Sequence, residues 1–183
     1  EAEKMKVQAE FDVLQAQINP HFLYNTLSII VWLIEAGKPE EATKVVTAVG
    51  RFFRIFLNTD KKFITAKEEI GHVSDYLLIQ QMRFKDRFSY KFDIDERVNE
   101  MATLKLILQP IVENSIYHGM EYMDDGDGII LIKAYIENGR LVFSIKDNGA
   151  GMTNDRVTEI MSDAVVRASA PRGSGIGFKN VKN

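Results

Sequence analysis

The sequence predicts an α+β chain: an antiparallel pair of helices followed by a domain that mixes helices and strands. Three observations predict it. Apolar residues recur at helical spacing as far as Leu57, interrupted by Gly37-Lys38-Pro39. From Phe88 to Ile94 the pattern switches to alternation, with Phe88, Tyr90, Phe92 and Ile94 on one side. Ile129–Ile136 and Leu141–Lys146 then flank the four-residue connection Glu137-Asn138-Gly139-Arg140, and Asn-Gly is a hairpin signal. The polar stretch Asn58-Thr59-Asp60-Lys61-Lys62 divides the chain into a hairpin domain, 1–60, and a second domain, 61–183.

The first helix is expected from about Lys4 to Glu35. Val7, Phe11, Leu14 and Ile18 form a seam of 4-3-4 spacing, suited to lengthwise packing on another helix. Pro20 lacks an N–H and crowds the preceding turn, so a bend is expected there. Beyond it the seam continues as His21, Asn25 and Ser28, all polar, while Phe22, Leu23, Leu27, Ile30, Val31 and Ile34 lie largely elsewhere around the helix. Gly37-Lys38-Pro39 ends this helix and starts another, from about Glu40 to Leu57. Two helices make a small core, so a homodimer forming a four-helix bundle is expected.

Phe63-Ile64 suggests a short strand. Thr65 with Glu68 forms a capping box for a third helix, whose face is Ile70, Val73, Tyr76, Leu77, Gln80 and Phe84. A fourth helix is expected from about Thr103 to His118, its first part bent at Pro110 or forming a separate turn, and closed by Gly119. Asp124-Asp125-Gly126-Asp127-Gly128 reads as a turn, Asp147–Gly151 as a glycine loop and Thr153–Met161 as a helix. Ser162–Gly173 reads as a mobile stretch before Gly173-Ser174-Gly175-Ile176-Gly177.

Composition narrows the function. A net charge of −3 gives no general attraction to nucleic acid or to membrane surfaces. The absence of cysteine removes disulfides, thiolate catalysis and thiolate metal sites. His21, His72 and His118 are scattered and lack zinc-site spacing. No apolar run is long enough to span a bilayer. Glu1-Ala2-Glu3-Lys4 reads as the middle of a helix, which suggests a piece of a longer chain.

His21 stands one helical turn from Asn25. A neutral imidazole is a competent nucleophile near neutral pH, and Asn25 is able to hold a water or a phosphoryl oxygen beside it. On these residues alone, a reactive histidine and one packed in a bundle are equally good readings.

Three further pieces lie in a fixed order. Gln109–Gly119 carries Asn114, a neutral amide oxygen suited to Mg²⁺. Asp147-Asn148-Gly149-Ala150-Gly151-Met152 follows a strand. Asp147 there is able to accept from an amino group such as adenine N6, while Gly149 and Gly151 leave room for a flat base. Gly173, Gly175 and Gly177 offer bare N–H groups to phosphate oxygens. Singly each is ordinary: a turn, a loop, a buried amide. Their order, with a hairpin between the first two, is far more specific.

With these motifs the chain resembles the GHKL superfamily, and within it the LytS/YesM-type sensor histidine kinases. Gln15–Asn25 is similar to that family's phosphoacceptor box, Leu108–Ser115 to its N box, and the two glycine loops to its G1 and G2 boxes. Tyr76-Leu77, Gln80 and Met82-Arg83-Phe84 are similar to its connecting helix. The resemblance implies an α/β-sandwich (Bergerat-type) ATP-binding domain, one that the family continues past Asn183. It implies autophosphorylation of His21 by ATP, Mg²⁺ at Asn114, adenine at Asp147 and phosphates at Gly173 to Gly177. It implies onward transfer to an aspartate of a response-regulator receiver domain, with no direct nucleic-acid contact. It further implies the cytoplasmic portion of a bacterial membrane protein whose membrane segments lie outside this chain.

Three positions depart from wider patterns, one of them Tyr117, which stands where related kinases often place a basic phosphate contact. Many GHKL hydrolases carry a glutamate four residues before the N-box asparagine, where this chain has Pro110, which disfavours water activation. Many histidine kinases carry an acid after the phosphoacceptor, where this chain has Phe22, as the LytS/YesM type does. His118 is expected to touch phosphate or, by a slight preference, to cap its helix. Glu113 is open between assisting a metal and facing solvent. His72 is expected at the surface, Arg51, Arg54, Arg83 and Arg87 as solvated charges rather than phosphate contacts, and Trp32 in bundle packing rather than as a ligand platform.

Overall fold

The computed structural model describes residues 20–57, 61–84, 87–120, 126–153 and 157–158. These fall into two compact units: residues up to Lys61 with Asp75–Arg83, and Lys62–Ser74 with Phe84 onward. The expected helix before Pro20 and the bend there, the linker at 58–60, most of the helix at Thr153–Met161 and everything from 159, including Gly173, Gly175 and Gly177, lie outside the described residues.

The first unit is built from α1 (Pro20–Glu35), α2 (Pro39–Leu57) and the C-terminal part of α3 (Ala66–Arg83). Gly37 ends α1 with φ +71°, a conformation open to a residue without Cβ. Lys38 N donates to Leu33 O at 2.8 Å and Gly37 N to Ile34 O at 3.1 Å, which satisfies carbonyls the helix would otherwise leave open. Pro39 starts α2, where a missing N–H costs nothing.

Helix α1 buries Phe22, Thr26 and Leu33; α2 buries Ala42, Val45, Ala48, Phe52 and Phe56. The Phe22 ring lies 5.0 Å from Phe52 and is stacked at 5.6 Å on Tyr76 of α3. The buried Thr26 hydroxyl donates to Phe22 O at 2.7 Å, so it enters the core satisfied. Arg51 stays largely exposed, as expected, but is paired: its Nη2 meets Asp75 Oδ1 at 2.6 Å, and its Nε donates to the same carboxylate at 3.0 Å.

In the second unit, β1 (Phe63–Thr65) pairs antiparallel with β3 (Ala102–Leu104). A mixed sheet has the order β2 (Phe88–Ile94), β4 (Gly128–Glu137), β5 (Arg140–Asp147). Strand β2 runs parallel to β4 from Phe88↔Gly128 to Ile94↔Ala134, and β5 runs antiparallel to β4 from Glu137↔Arg140 to Ile130↔Asp147. The hairpin is tighter than expected: only Asn138 and Gly139 separate the strands, with φ of +50° and +74°, the pattern of a turn that matches strand twist. Ala66, Val98 and Ala134 centre a core flanked by Ile70, Ile94, Met101, Ile136, Leu141 and Phe143. The capping box forms: Thr65 N donates to Glu68 Oε2 at 2.8 Å and Glu68 N to Thr65 Oγ1 at 3.2 Å.

The start of the expected fourth helix is corrected, while its end near Gly119 stands. Thr103 lies in β3, a loop follows, and α4 spans only Gln109–Asn114 before a π turn, Ser115–Gly119. Pro110 therefore stands in the first turn of α4, where its missing N–H has no partner to lose, rather than inside a longer helix. Leu106, at φ +63°, breaks the helical path before it.

Candidate functional site

His21 stands on the first turn of α1 and its ring is exposed. Asn25 Nδ2 lies 3.2 Å from His21 Nδ1 and 3.3 Å from Nε2. The in-plane lone pairs of the two ring nitrogens diverge, so an atom equidistant from both lies along neither. Phe22, the next residue, points the other way into the aromatic cluster, which fixes which face of α1 His21 occupies.

The second unit assembles the other motifs. Ser115 Oγ donates to Asp147 Oδ2 at 2.7 Å, and Gly149 N donates to Oδ1 at 3.0 Å. One carboxylate thereby joins the α4 turn to the end of β5 and the glycine loop. A carboxylate has about four acceptor sites, so both oxygens keep capacity for a ligand amino group. Asn148 secures the loop: its Oδ1 accepts from Ile129 N at 2.7 Å and its Nδ2 donates to Asp127 O at 2.8 Å. Ala150 N donates to Gly119 O at 3.1 Å. The two glycines of the loop differ. A Cβ on Gly149 would run into the backbone of Gly119, so this glycine is required by the fold and not only by the room a base needs. Gly151 meets nothing within 4 Å but has φ +71°, a backbone requirement.

Asn114 is half-buried and makes no side-chain hydrogen bond among the described residues. Glu113 beside it accepts from Gln109 Nε2 at 2.9 Å. These are hard oxygen donors and fit Mg²⁺, which takes few protein ligands and completes its shell with water and phosphate. No group of three His, Cys, Asp or Glu among the described residues converges as a self-sufficient metal site. The His118 ring is exposed and caps no helix carbonyl among the described residues. Tyr117 packs edge-on against Phe84, centroids 5.9 Å apart. A surface hollow of about 510 Å³ near Asp93, Asp95, Lys133 and Tyr135 includes none of these residues.

Sequence reasoning missed what holds α4. Glu69 is fully buried, and its carboxylate accepts from Leu106 N at 2.8 Å, Ile107 N at 2.8 Å and Leu108 N at 2.9 Å. Burial pushes the Glu69 carboxyl above its usual range, and the three N–H groups pull against that rise. His72 is buried, not at the surface, with Nε2 2.7 Å from Gln109 Oε1. A signal existed: Glu69, His72, Tyr76 and Ile79 follow 3-4-3 spacing, so two polar residues sit on a stripe that is otherwise core.

Two family models match in tandem: "Histidine kinase" over residues 9–88, and "Histidine kinase-, DNA gyrase B-, and HSP90-like ATPase" over residues 100–183. The sensor histidine kinase YesM of Bacillus subtilis (strain 168) is 36% identical over 175 residues, covering 96% of this chain and 28% of that protein. The sensor protein LytS of Staphylococcus haemolyticus is 32% identical over 179 residues, covering 97% of this chain and 30% of that protein. The sensor histidine kinase BtsS of Escherichia coli (strain K12) is 38% identical over 144 residues, 79% of this chain and 25% of that protein. The chain thus spans under a third of the length of these relatives. Among the described residues no helix is long and apolar enough to cross a membrane. With both family regions in their expected order and the α+β fold that accompanies them, the chain belongs to the LytS/YesM-type sensor histidine kinases of the GHKL superfamily.

Proposed function

We propose that these residues are the kinase region of a sensor histidine kinase, in which ATP phosphorylates His21 and the phosphoryl group passes to an aspartate of a response-regulator receiver domain. In the first step a ring nitrogen of His21 forms a bond to the γ-phosphorus, the bond to the β,γ-bridging oxygen breaks, and ADP leaves. Such a transfer needs positioning and charge neutralisation more than covalent assistance. The phosphohistidine formed is reactive enough for onward transfer.

The observation that carries this reading is the Ser115–Asp147 hydrogen bond, 2.7 Å, which draws the N-box turn and the strand-end carboxylate into one site. Asp147 would accept from the adenine amino group and Asn114 would hold Mg²⁺ beside the phosphates, with His118 near the end of the same turn. Mg²⁺ supplies neutralisation of phosphate charge. Gly151 lets the loop turn beside the base, and Gly173, Gly175 and Gly177 take the phosphates. His21 and Asn25 present an accessible acceptor on α1. Pro110 in place of a carboxylate leaves no base there for water, which favours transfer over hydrolysis.

A homodimer belongs to the same reading. Tyr24, Leu27, Val31 and Ile34 follow 3-4-3 spacing on α1 and are 72%, 51%, 54% and 59% exposed, a stripe suited to a second copy of the hairpin. Trp32, 46% exposed, adds apolar surface to the same helix. The sensor and membrane segments belong to the rest of the protein, with this region on the cytoplasmic side.

The test is incubation with γ-labelled ATP and Mg²⁺. The expected label is acid-labile and base-stable, and is lost in His21→Gln. Label of that kind persisting in His21→Gln would overturn the assignment.

A further inference from the structure

We propose that His72 is a positioning residue of the nucleotide site, acting through Gln109 on the carboxylate of Glu113. The proposal rests on reading Asn114 and its surroundings as the Mg²⁺-nucleotide site.

Glu113 accepts from Gln109 Nε2 at 2.9 Å. A carboxylate here only accepts, so the Gln109 amide must turn its NH₂ toward Glu113 and its oxygen toward His72. The oxygen lies 2.7 Å from His72 Nε2, which must therefore carry the hydrogen. Three side chains thus form a directed chain: His72 donates to Gln109, and Gln109 donates to Glu113. Its far end is adjacent in sequence to Asn114.

The near end is anchored. His72 is 4% exposed, and one turn earlier on α3 the buried Glu69 holds the N–H groups of Leu106, Ile107 and Leu108. Those residues lead directly into Gln109, so α3 grips the start of α4 through its backbone and through a side chain. The first turn of a helix lacks partners in its own ladder, so the start of α4 depends on contacts from α3. The bond from Gln109 restricts the rotamers of the Glu113 side chain ahead of ligand binding, which lowers the ordering cost left to the ligand. A carboxylate has about four acceptor sites, so the bond from Gln109 is compatible with a further one to the hydrated cation that the nucleotide would bring.

The experiment measures binding of a fluorescent, non-hydrolysable ATP analogue as Mg²⁺ is titrated. His72→Leu should raise the Mg²⁺ midpoint by roughly tenfold, the lower end of what loss of an outer-shell partner costs. His72→Gln, which keeps an N–H donor, should recover most of that. In a Glu113→Gln background His72→Leu should add little, because the two changes interrupt one chain. An equal shift in both backgrounds, or no shift, would overturn the relay. If buried His72→Leu does not fold, Gln109→Met breaks the same chain and gives the same readout. Long-range ¹⁵N–¹H spectra should show the Nε2–H form of His72; the Nδ1–H form would also overturn the relay. Asn114→Ala separates the two levels: if it leaves the Mg²⁺ dependence unchanged, the site reading fails and the relay with it.

Discussion

The α-carbon of Gly149 lies directly against the backbone of Gly119, close enough that a methyl group has no place between them. Gly119 O also accepts from Ala150 N at 3.1 Å, so the glycine loop and the π turn after α4 are fastened together. Gly149→Ala should therefore separate the two segments that share Asp147. We expect a stability loss of about 1–3 kcal/mol, the usual range for forcing extra volume into a packed site, together with loss of nucleotide binding. Gly151→Ala should cost about 1–2 kcal/mol from its left-handed backbone alone, with binding less affected. Urea unfolding and nucleotide titration of both variants check the order.

Ser115→Ala tests the bond between the N-box turn and Asp147. The hydroxyl is buried and donates at 2.7 Å. Its removal should cost roughly 1.5–3 kcal/mol, the range for a hydrogen bond to a charged group, and should weaken ATP-analogue binding. Unchanged affinity would mean that Asp147 keeps its orientation through Gly149 alone.

Asp95 governs acid stability locally. Its carboxylate takes Arg97 Nε at 2.9 Å and Arg97 N at 3.0 Å. The Arg97 side chain, then the Arg97 N–H, hold its pKa down to about 2 from 3.8. A folded pKa below the unfolded one means stabilisation that is present above the unfolded value and lost as pH falls from about 4 through about 2. Asp95→Asn should be less stable than the parent near neutrality, and the difference should close over that acid window. Urea midpoints measured against pH give the comparison.

Glu69 has the opposite sign. Burial raises its folded pKa, so its contribution is fully present below the unfolded value of 4.5 and is lost as pH rises through the folded pKa. Glu69→Gln should remove this pH dependence. It should also cost about 1–3 kcal/mol, because one amide oxygen replaces a carboxylate that serves three N–H groups. The slope of stability between pH 4 and the folded pKa separates the two effects.

The two faces of α1 should respond differently. Phe22→Ala removes a ring stacked on Tyr76 and packed on Phe52, and should cost about 3–5 kcal/mol in thermal or urea unfolding. Val31→Glu, on the exposed stripe, should leave helix content intact and abolish self-association in sedimentation. A dimer unaffected by Val31→Glu would place the contact elsewhere.

Local chemistry alone settled much of this protein. Gly37 and Pro39 bound their helices, Thr65 and Glu68 cap theirs, Asn138-Gly139 turns the hairpin, and alternation marks β2, because each is decided by the conformational limits of a few neighbouring residues. The motifs around His21, Asn114 and Asp147 were likewise readable as ordered pieces. Strand β3 was not, since three residues become a strand only by pairing with β1, which lies 39 positions earlier. The late start of α4 was not, since Glu69 replaces helical partners for Leu106–Leu108 from across the fold. The fold also decided that Gly149 answers to Gly119 and that His72 is an interior donor. Both depend on which distant groups come within a few ångströms, and residue spacing along one segment does not encode that distance.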